Sequence, residues 1–269
     1  MNKILTIFLN GLLLLTMTVA HADTIDLHVM GGQSNMQGWR SDARFYPNDP
    51  GHLDQQILFY FEAVNYASSN KRWGPLKPQA GHFSRGHFGP EVTFARAAKR
   101  YGFKPAIFKF SFGSSSIETV WKAPGKNGLY DRMIRELQYA INLLKRQGHQ
   151  VNIRSFTWVQ GETDAQNDQL ANRYYANLKR LIQHFRRNVA HNFRLPVILG
   201  VDEQHPLVKQ RPQIVAAQRR LAREDRHTAA TSMYGLEKSD VTHLTARGVA
   251  LHGRRLFNAY LGLAYQMNF

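Results

Sequence analysis

Six short apolar or β-branched runs alternate with longer amphipathic stretches, and this alternation limits the possible architectures more than any other feature of the chain. The runs are Ile25 to Met30, Ile57 to Phe61, Ala106 to Phe110, Ile153 to Val159, Pro196 to Val201 and Thr228 to Met233. Helical stretches are expected at Glu91 to Tyr101, Tyr130 to Gln147, Asp168 to Val189, Gln213 to Asp225 and Thr245 to Leu263. Met133, Leu137, Ala140, Ile141 and Leu144 form one stripe at helical spacing, and Leu170, Tyr174, Leu178 and Leu181 form another. Strands that alternate with amphipathic helices bury both kinds of apolar face by making a parallel sheet with crossovers. The expectation is an α/β fold, a three-layer α/β/α sandwich with a mainly parallel central sheet of about five strands.

The first 22 residues read differently from the rest. Lys3 precedes an uncharged apolar run from Ile4 to Val19, and Ala20-His21-Ala22 fits a small-x-small cleavage site. The run is short for a membrane span and is interrupted by Asn10 and Gly11. Residues 1–22 are therefore expected to be a signal peptide removed before Asp23, leaving 23–269 as one domain that is periplasmic or secreted and not stably inserted in a membrane. The chain has no cysteine, which excludes a disulfide framework and thiolate metal sites. Stability must then come from the apolar core.

The charge is strongly one-sided, with 35 Lys+Arg against 19 Asp+Glu and a formal net charge of +16. Such a balance favours polyanions, and sign alone does not choose among nucleic acid, acidic glycan and membrane surface. Much of it lies on helical stretches, including Arg219, Arg220, Arg223 and Arg226. No nucleic-acid motif accompanies these residues, so no nucleic-acid partner is expected. No heptad or exposed apolar stripe demands another subunit, and a monomer is expected.

Four blocks carry the chemistry: Gly32-Gln33-Ser34-Asn35, Gly89-Pro90-Glu91, Trp158 to Asp164, and Asp240-Val241-Thr242-His243. Each follows a strand run or precedes a helix, where an open α/β sheet gathers reactive groups. A serine hydroxyl such as that of Ser34 needs a base to take its proton. His243 can be that base, with Asp240 three positions earlier fixing the imidazole tautomer. The charge that develops on an ester oxygen needs preset donors, and three are available: the N–H of Ser34, the N–H of Gly89 and the side-chain amide of Gln160. Together these residues point to ester hydrolysis.

The blocks resemble those of the SGNH/GDSL hydrolases, in particular the sialate O-acetylesterase and acetylxylan-esterase-like branch, over nearly all of residues 23–269. Gly-Gln-Ser-Asn, Gly-Pro-Glu, Gln-Gly-Glu-x-Asp and Asp-x-x-His all occur here in the branch's order. The resemblance implies a flavodoxin-like sandwich. It also implies Ser34 as nucleophile, His243 as base, Asp240 as its partner, Ser34, Gly89 and Gln160 as oxyanion donors, and removal of O-acetyl groups from a carbohydrate. Gln160 stands where the wider superfamily has asparagine. Phe112 to Ile117, followed by Trp121, occupies the place of a Gly-Gly-x segment and a tryptophan in relatives.

Gln33, Asn35, Glu91, Glu162 and Trp121 are candidates for touching substrate or bracing loops, with bracing favoured for Glu162 and Asp164. Trp39, Trp73 and Trp121 are candidates for stacking on sugar rings. His82, Arg85 and His87 are candidates for meeting a substrate carboxylate, since the basic charge favours an acidic or sialic-acid-like sugar. No cofactor or metal is expected, because the 12 histidines are scattered and no His-Glu-x-x-His occurs. Three other readings stay open at this level: a glycan O-acetyltransferase using the same triad, a glycoside hydrolase using Glu91 and Glu162, and a non-catalytic polyanion-binding module.

Overall fold

A computed structural model describes residues 23–266, so the leader expected at 1–22 lies outside the described residues. Numbered in chain order, the strands are β1 (Thr24–Gly32), β2 (Leu58–Ala63), β3 (Ala67–Ser68), β4 (Gly74–Pro75), β5 (Pro105–Ser111), β6 (Gln150–Val159), β7 (Val197–Val201) and β8 (Thr228–Ser232). The α-helices are α1 (Ser34–Gln37), α2 (Glu91–Arg100), α3 (Leu129–Arg146), α4 (Asp168–His184), α5 (Pro206–Gln210), α6 (Gln213–Glu224) and α7 (Ala246–Gln266).

Six strands run parallel in the order β2-β5-β1-β6-β7-β8, one more than the five or so expected. The two-residue strands β3 and β4 pair antiparallel with β2 and were too short to register as apolar runs. The stretch expected to be helical from Asp168 to Val189 is α4 followed by a π-turn over Phe185–Val189.

Central parallel strands are covered on both faces, which is why they read as nearly unbroken apolar runs. In β1 every residue after Thr24 is buried. Alternate residues then serve opposite cores. Leu27 and Val29 join Met133, Leu137, Tyr174 and Leu178 in the core under α3 and α4. Met30 joins Val92, Phe94, Val249 and Phe257 in the core under α2 and α7. His28, also on β1, is fully buried, and desolvation lowers its pKa to about 3, keeping the ring neutral. Its Nδ1 and Ser155 Oγ share a hydrogen bond of 2.8 Å.

The chain moves outward from β1 on one side to reach β2 and β5, then crosses to build β6, β7 and β8 on the other. β1 is therefore the strand at which the order reverses, and a crevice opens beyond its C-terminal end. Register brings three strand ends together there, since Gly32 pairs with Ser111 of β5 and with Val159 of β6. At Gly32 a Cβ would lie 2.1 Å from Val159 O, with φ at +153°, so only glycine fits this approach.

Candidate active site

From the end of β1 the chain turns sharply. Gln33 N–H donates to Val159 O at 3.0 Å, and α1 begins at Ser34. Gly38 ends α1 in the left-handed region with φ of 83°, donating its N–H to Ser34 O at 2.8 Å. A Cβ there would strike Phe88 O at 1.8 Å. This strand, turn and helix hold Ser34 at the wall of a cavity of about 410 Å³, which His243 also lines.

His243 sits on a short turn ahead of α7. Asp240 Oδ1 accepts the N–H groups of Thr242 at 2.8 Å and His243 at 2.7 Å. The same carboxylate meets His243 Nδ1, at 2.9 Å from Oδ2 and 3.0 Å from Oδ1. Partial burial opposes ionisation of Asp240, but the His243 hydrogen bond and the two backbone donors outweigh it and hold the pKa at about 2. An ionised carboxylate at Nδ1 places the ring proton there in the neutral form, which leaves a lone pair on Nε2. No hydrogen bond joins Ser34 Oγ to His243 among the described residues; the two side chains share the cavity.

Several contacts hold this turn. Asn35 donates from Nδ2 to Thr242 O at 3.0 Å and accepts Leu244 N–H at 3.1 Å. Lys238 Nζ donates to Val241 O at 2.7 Å and pairs with Asp202 at 2.5 Å. Glu162 Oε1 in turn accepts Asp202 N–H at 2.9 Å, which is a bracing contact. Gln33 Oε1 accepts a hydrogen bond from Thr163 Oγ1 at 3.2 Å, tying the first block to the third.

Other candidate residues lie away from the cavity, and the geometry corrects what the sequence suggested for them. Gly89 N–H donates to Glu91 Oε1 at 2.9 Å and is not free for an oxyanion. Gln160 is fully buried, and its Nε2 donates to Ser115 O at 2.9 Å and to Asp164. Both partners are acceptors, so both amide hydrogens are engaged. Asp164 also accepts from Ser116 Oγ at 2.7 Å and Ile117 N–H at 2.9 Å, bracing the loop after β5.

Glu91 is fully buried against Lys109 Nζ at 2.7 Å, and Glu162 is 2% exposed. Neither lines the cavity, which leaves no acid and base pair for a glycoside hydrolase. Trp121 is a core residue rather than a sugar platform, donating from its indole to Ser115 Oγ at 2.8 Å and packing edge-on to Trp158 at 4.7 Å. Trp73 is tied by its indole to Ala140 O at 2.8 Å. His87 is buried, and desolvation, followed by the nearby Lys109 charge, lowers its pKa to about 3, so it offers no cation to a carboxylate.

Of the three tryptophans proposed to stack on sugars, Trp39 is the one lining the cavity, with Tyr66 edge-on to it at 4.7 Å and His82 tilted against it at 4.3 Å. His82 and Arg85 are exposed. Arg40, which the sequence did not single out, places Nε 3.4 Å from Asp240 Oδ2. Gly113 and Ser114 also line the cavity, with Ser114 in the left-handed region at φ of 52°. Gly113 N–H has no partner among the described residues. A Cβ on Gly113 would lie 3.8 Å from Ser34 Cβ, so its backbone runs beside the serine. The sequence signals for Gly113 were its place just after the β5 run and its position in the stretch that stands where relatives carry a Gly-Gly-x segment.

The profile of a family described as carbohydrate esterase, sialic acid-specific acetylesterase, matches residues 24–262. Among solved structures, an Arabidopsis thaliana protein aligns with a TM-score of 0.67 and 23% identity, covering 90% of this chain and 99% of its own. NanS aligns with a TM-score of 0.67 and 13% identity, covering 91% of this chain and 99% of its own. A carbohydrate acetylesterase from Xanthomonas citri aligns with a TM-score of 0.60 and 21% identity, over 90% of this chain and 56% of its own. At these identities the likenesses speak for the fold. No curated protein matches the chain.

Proposed function

The chain belongs to the sialic acid-specific acetylesterase family of carbohydrate esterases, and on that premise we propose that Ser34, His243 and Asp240 form its catalytic triad. Membership makes it a carbohydrate O-acetylesterase. The single observation that carries the triad is that Ser34 and His243 line one cavity while Asp240 holds the Nδ1 side of the imidazole at 2.9 Å.

In this reaction Ser34 Oγ attacks the acetyl carbonyl carbon while His243 Nε2 takes the hydroxyl proton. The oxyanion lies against the N–H groups of Ser34 and Gly113, the latter taking the place the sequence suggested for Gly89. As the C–O bond to the sugar breaks, His243 returns the proton to the departing sugar oxygen. Water, deprotonated by His243, then attacks the acetyl-enzyme carbonyl; the bond to Ser34 Oγ breaks, His243 returns the proton to that oxygen, and acetate leaves.

The substrate in this reading is an O-acetylated acidic sugar or glycan. Support comes from the formal charge of +16 and from Arg40, which sits beside Asp240 next to the cavity. Trp39 and Tyr66 offer faces on which a pyranose can lie. The test measures acetate released from a panel of acidic and neutral acetylated sugars by the wild-type chain and by Ser34→Ala. Release by the wild type should favour acidic sugars and fall by about 10³-fold or more in the variant. A Ser34→Ala protein that keeps most of its activity removes the triad, and faster release from neutral sugars removes the acidic substrate.

A further inference from the structure

Gln37 is 1% exposed, and its side-chain Nε2 has no hydrogen-bond partner among the described residues. It lies on α1 three positions after Ser34, a spacing that puts the two side chains on one helix face. Both line the cavity that also holds His243. Gln37 Oε1 is 4.0 Å from the point a Cβ on Gly113 would occupy, so the amide borders the same wall as the unpartnered Gly113 N–H with its oxygen on that side, and a half-turn about its last torsion presents Nε2 there.

The main chain of Gln37 is held in place, because its carbonyl accepts Gln79 Nε2 at 3.4 Å and Lys109 Nζ at 3.5 Å. Its terminal amide is less constrained, since rotation about that last torsion is broad and roughly two-fold. A buried amide nitrogen without an acceptor is unfavourable, and native proteins keep few of them. Here the missing acceptor is matched by the substrate: an ester carbonyl presents only acceptor lone pairs.

We propose that Gln37 donates its Nε2–H to the substrate's acetyl carbonyl oxygen and to the oxyanion formed from it. It thereby supplies the side-chain amide the sequence suggested at Gln160, whose hydrogens are engaged elsewhere. The proposal rests on Ser34 as nucleophile. The oxyanion then has three donors converging from α1 and from the loop after β5: the N–H of Ser34, the N–H of Gly113 and the Gln37 amide.

Gln37→Met fills the volume without a donor, and Gln37→Glu keeps the shape but replaces the donor with an acceptor. On 4-nitrophenyl acetate each variant should lose about 10²-fold in kcat, the loss typical of removing one oxyanion donor, with KM within about threefold. Methylboronic acid, which forms a tetrahedral adduct on a serine, should bind more weakly by a similar factor. Loss of packing alone would not move kcat and boronate affinity together. Thermal melts establish that each variant is folded, and Gln37→Glu serves if Gln37→Met is not. Wild-type-like kcat and boronate affinity in a folded variant, or a rise in KM alone, overturns the proposal. Ser34→Ala run alongside separates the failures: if it keeps its activity the nucleophile is wrong, and if it is inactive while Gln37 variants are normal, only the Gln37 role falls.

Discussion

Asn35 holds His243 by both of its neighbours, donating to Thr242 O at 3.0 Å and accepting Leu244 N–H at 3.1 Å. One amide next to Ser34 thus fixes the turn that carries His243, the base of the proposed triad. Asn35→Ala should remove both contacts and cost about 1–3 kcal/mol in stability. It should also lower kcat by roughly 10- to 100-fold with little change in KM, because a small displacement of the base is expensive. Steady-state kinetics with a urea melt checks this, and unaltered kcat in a measurably destabilised variant would show that the turn holds itself.

Glu162 makes stability depend on pH. Desolvation raises its carboxyl to about 7, against the Asp202 N–H that favours the ionised form. Between the ordinary carboxylate range and that value the folded chain keeps a proton the unfolded chain has released. Its contribution is full below that range and is lost as pH rises toward and through about 7. Glu162→Gln keeps an acceptor for Asp202 and cannot ionise. The variant should gain on the wild type at about pH 8 and show no gain at about pH 4, read from melts at both. An equal difference at the two pH values would assign the titration to another group.

Trp39 and Trp121 should separate cleanly. Trp121 is sealed in the core against Trp158 and Phe110, so Trp121→Ala should cost about 3–5 kcal/mol. Trp39→Ala, at the cavity, should change stability by about 1 kcal/mol or less while raising KM for a glycan substrate. The comparison needs only thermal melts and kinetics on an acetylated sugar against a small acetyl ester.

The buried Lys109 and Glu91 pair is a structural element whose value shows when one partner is removed. Burial lowers the Lys109 pKa, with the Glu91 charge opposing that shift. Lys109→Met should cost about 3–5 kcal/mol by leaving a carboxylate alone in the interior. Adding Glu91→Gln, which still offers an oxygen to Gly89 N–H, should recover much of that loss in a urea titration.

The layers of the fold were readable because buried parallel strands such as β1 and β5 leave continuous apolar runs. Ser34, Asp240 and His243 could be proposed from residue type alone, since a hydroxyl, a base and a carboxylate form a chemical set, and the structure puts Ser34 and His243 on one cavity with Asp240 against the imidazole. The oxyanion donors were not. Whether an N–H is free depends on tertiary neighbours: Gly89 loses its hydrogen to Glu91, and Gln160 loses both of its own to Ser115 and Asp164. The Phe112 to Ile117 stretch was noted in the sequence, but its place beside Ser34 follows from the sheet register, which sets Ser111 against Gly32. Gln37 lay outside the four-residue block and gave no signal beyond its spacing.

The bonds from Asn35 to the turn before α7 span 207 and 209 positions of sequence. Contacts of that range form only after loop closure has been completed across the intervening sheet. A refolding chain can therefore regain most of its circular dichroism while still unable to release acetate. Catalysis becomes a clock for the final docking event, and turnover lags the ellipticity by the time that docking takes.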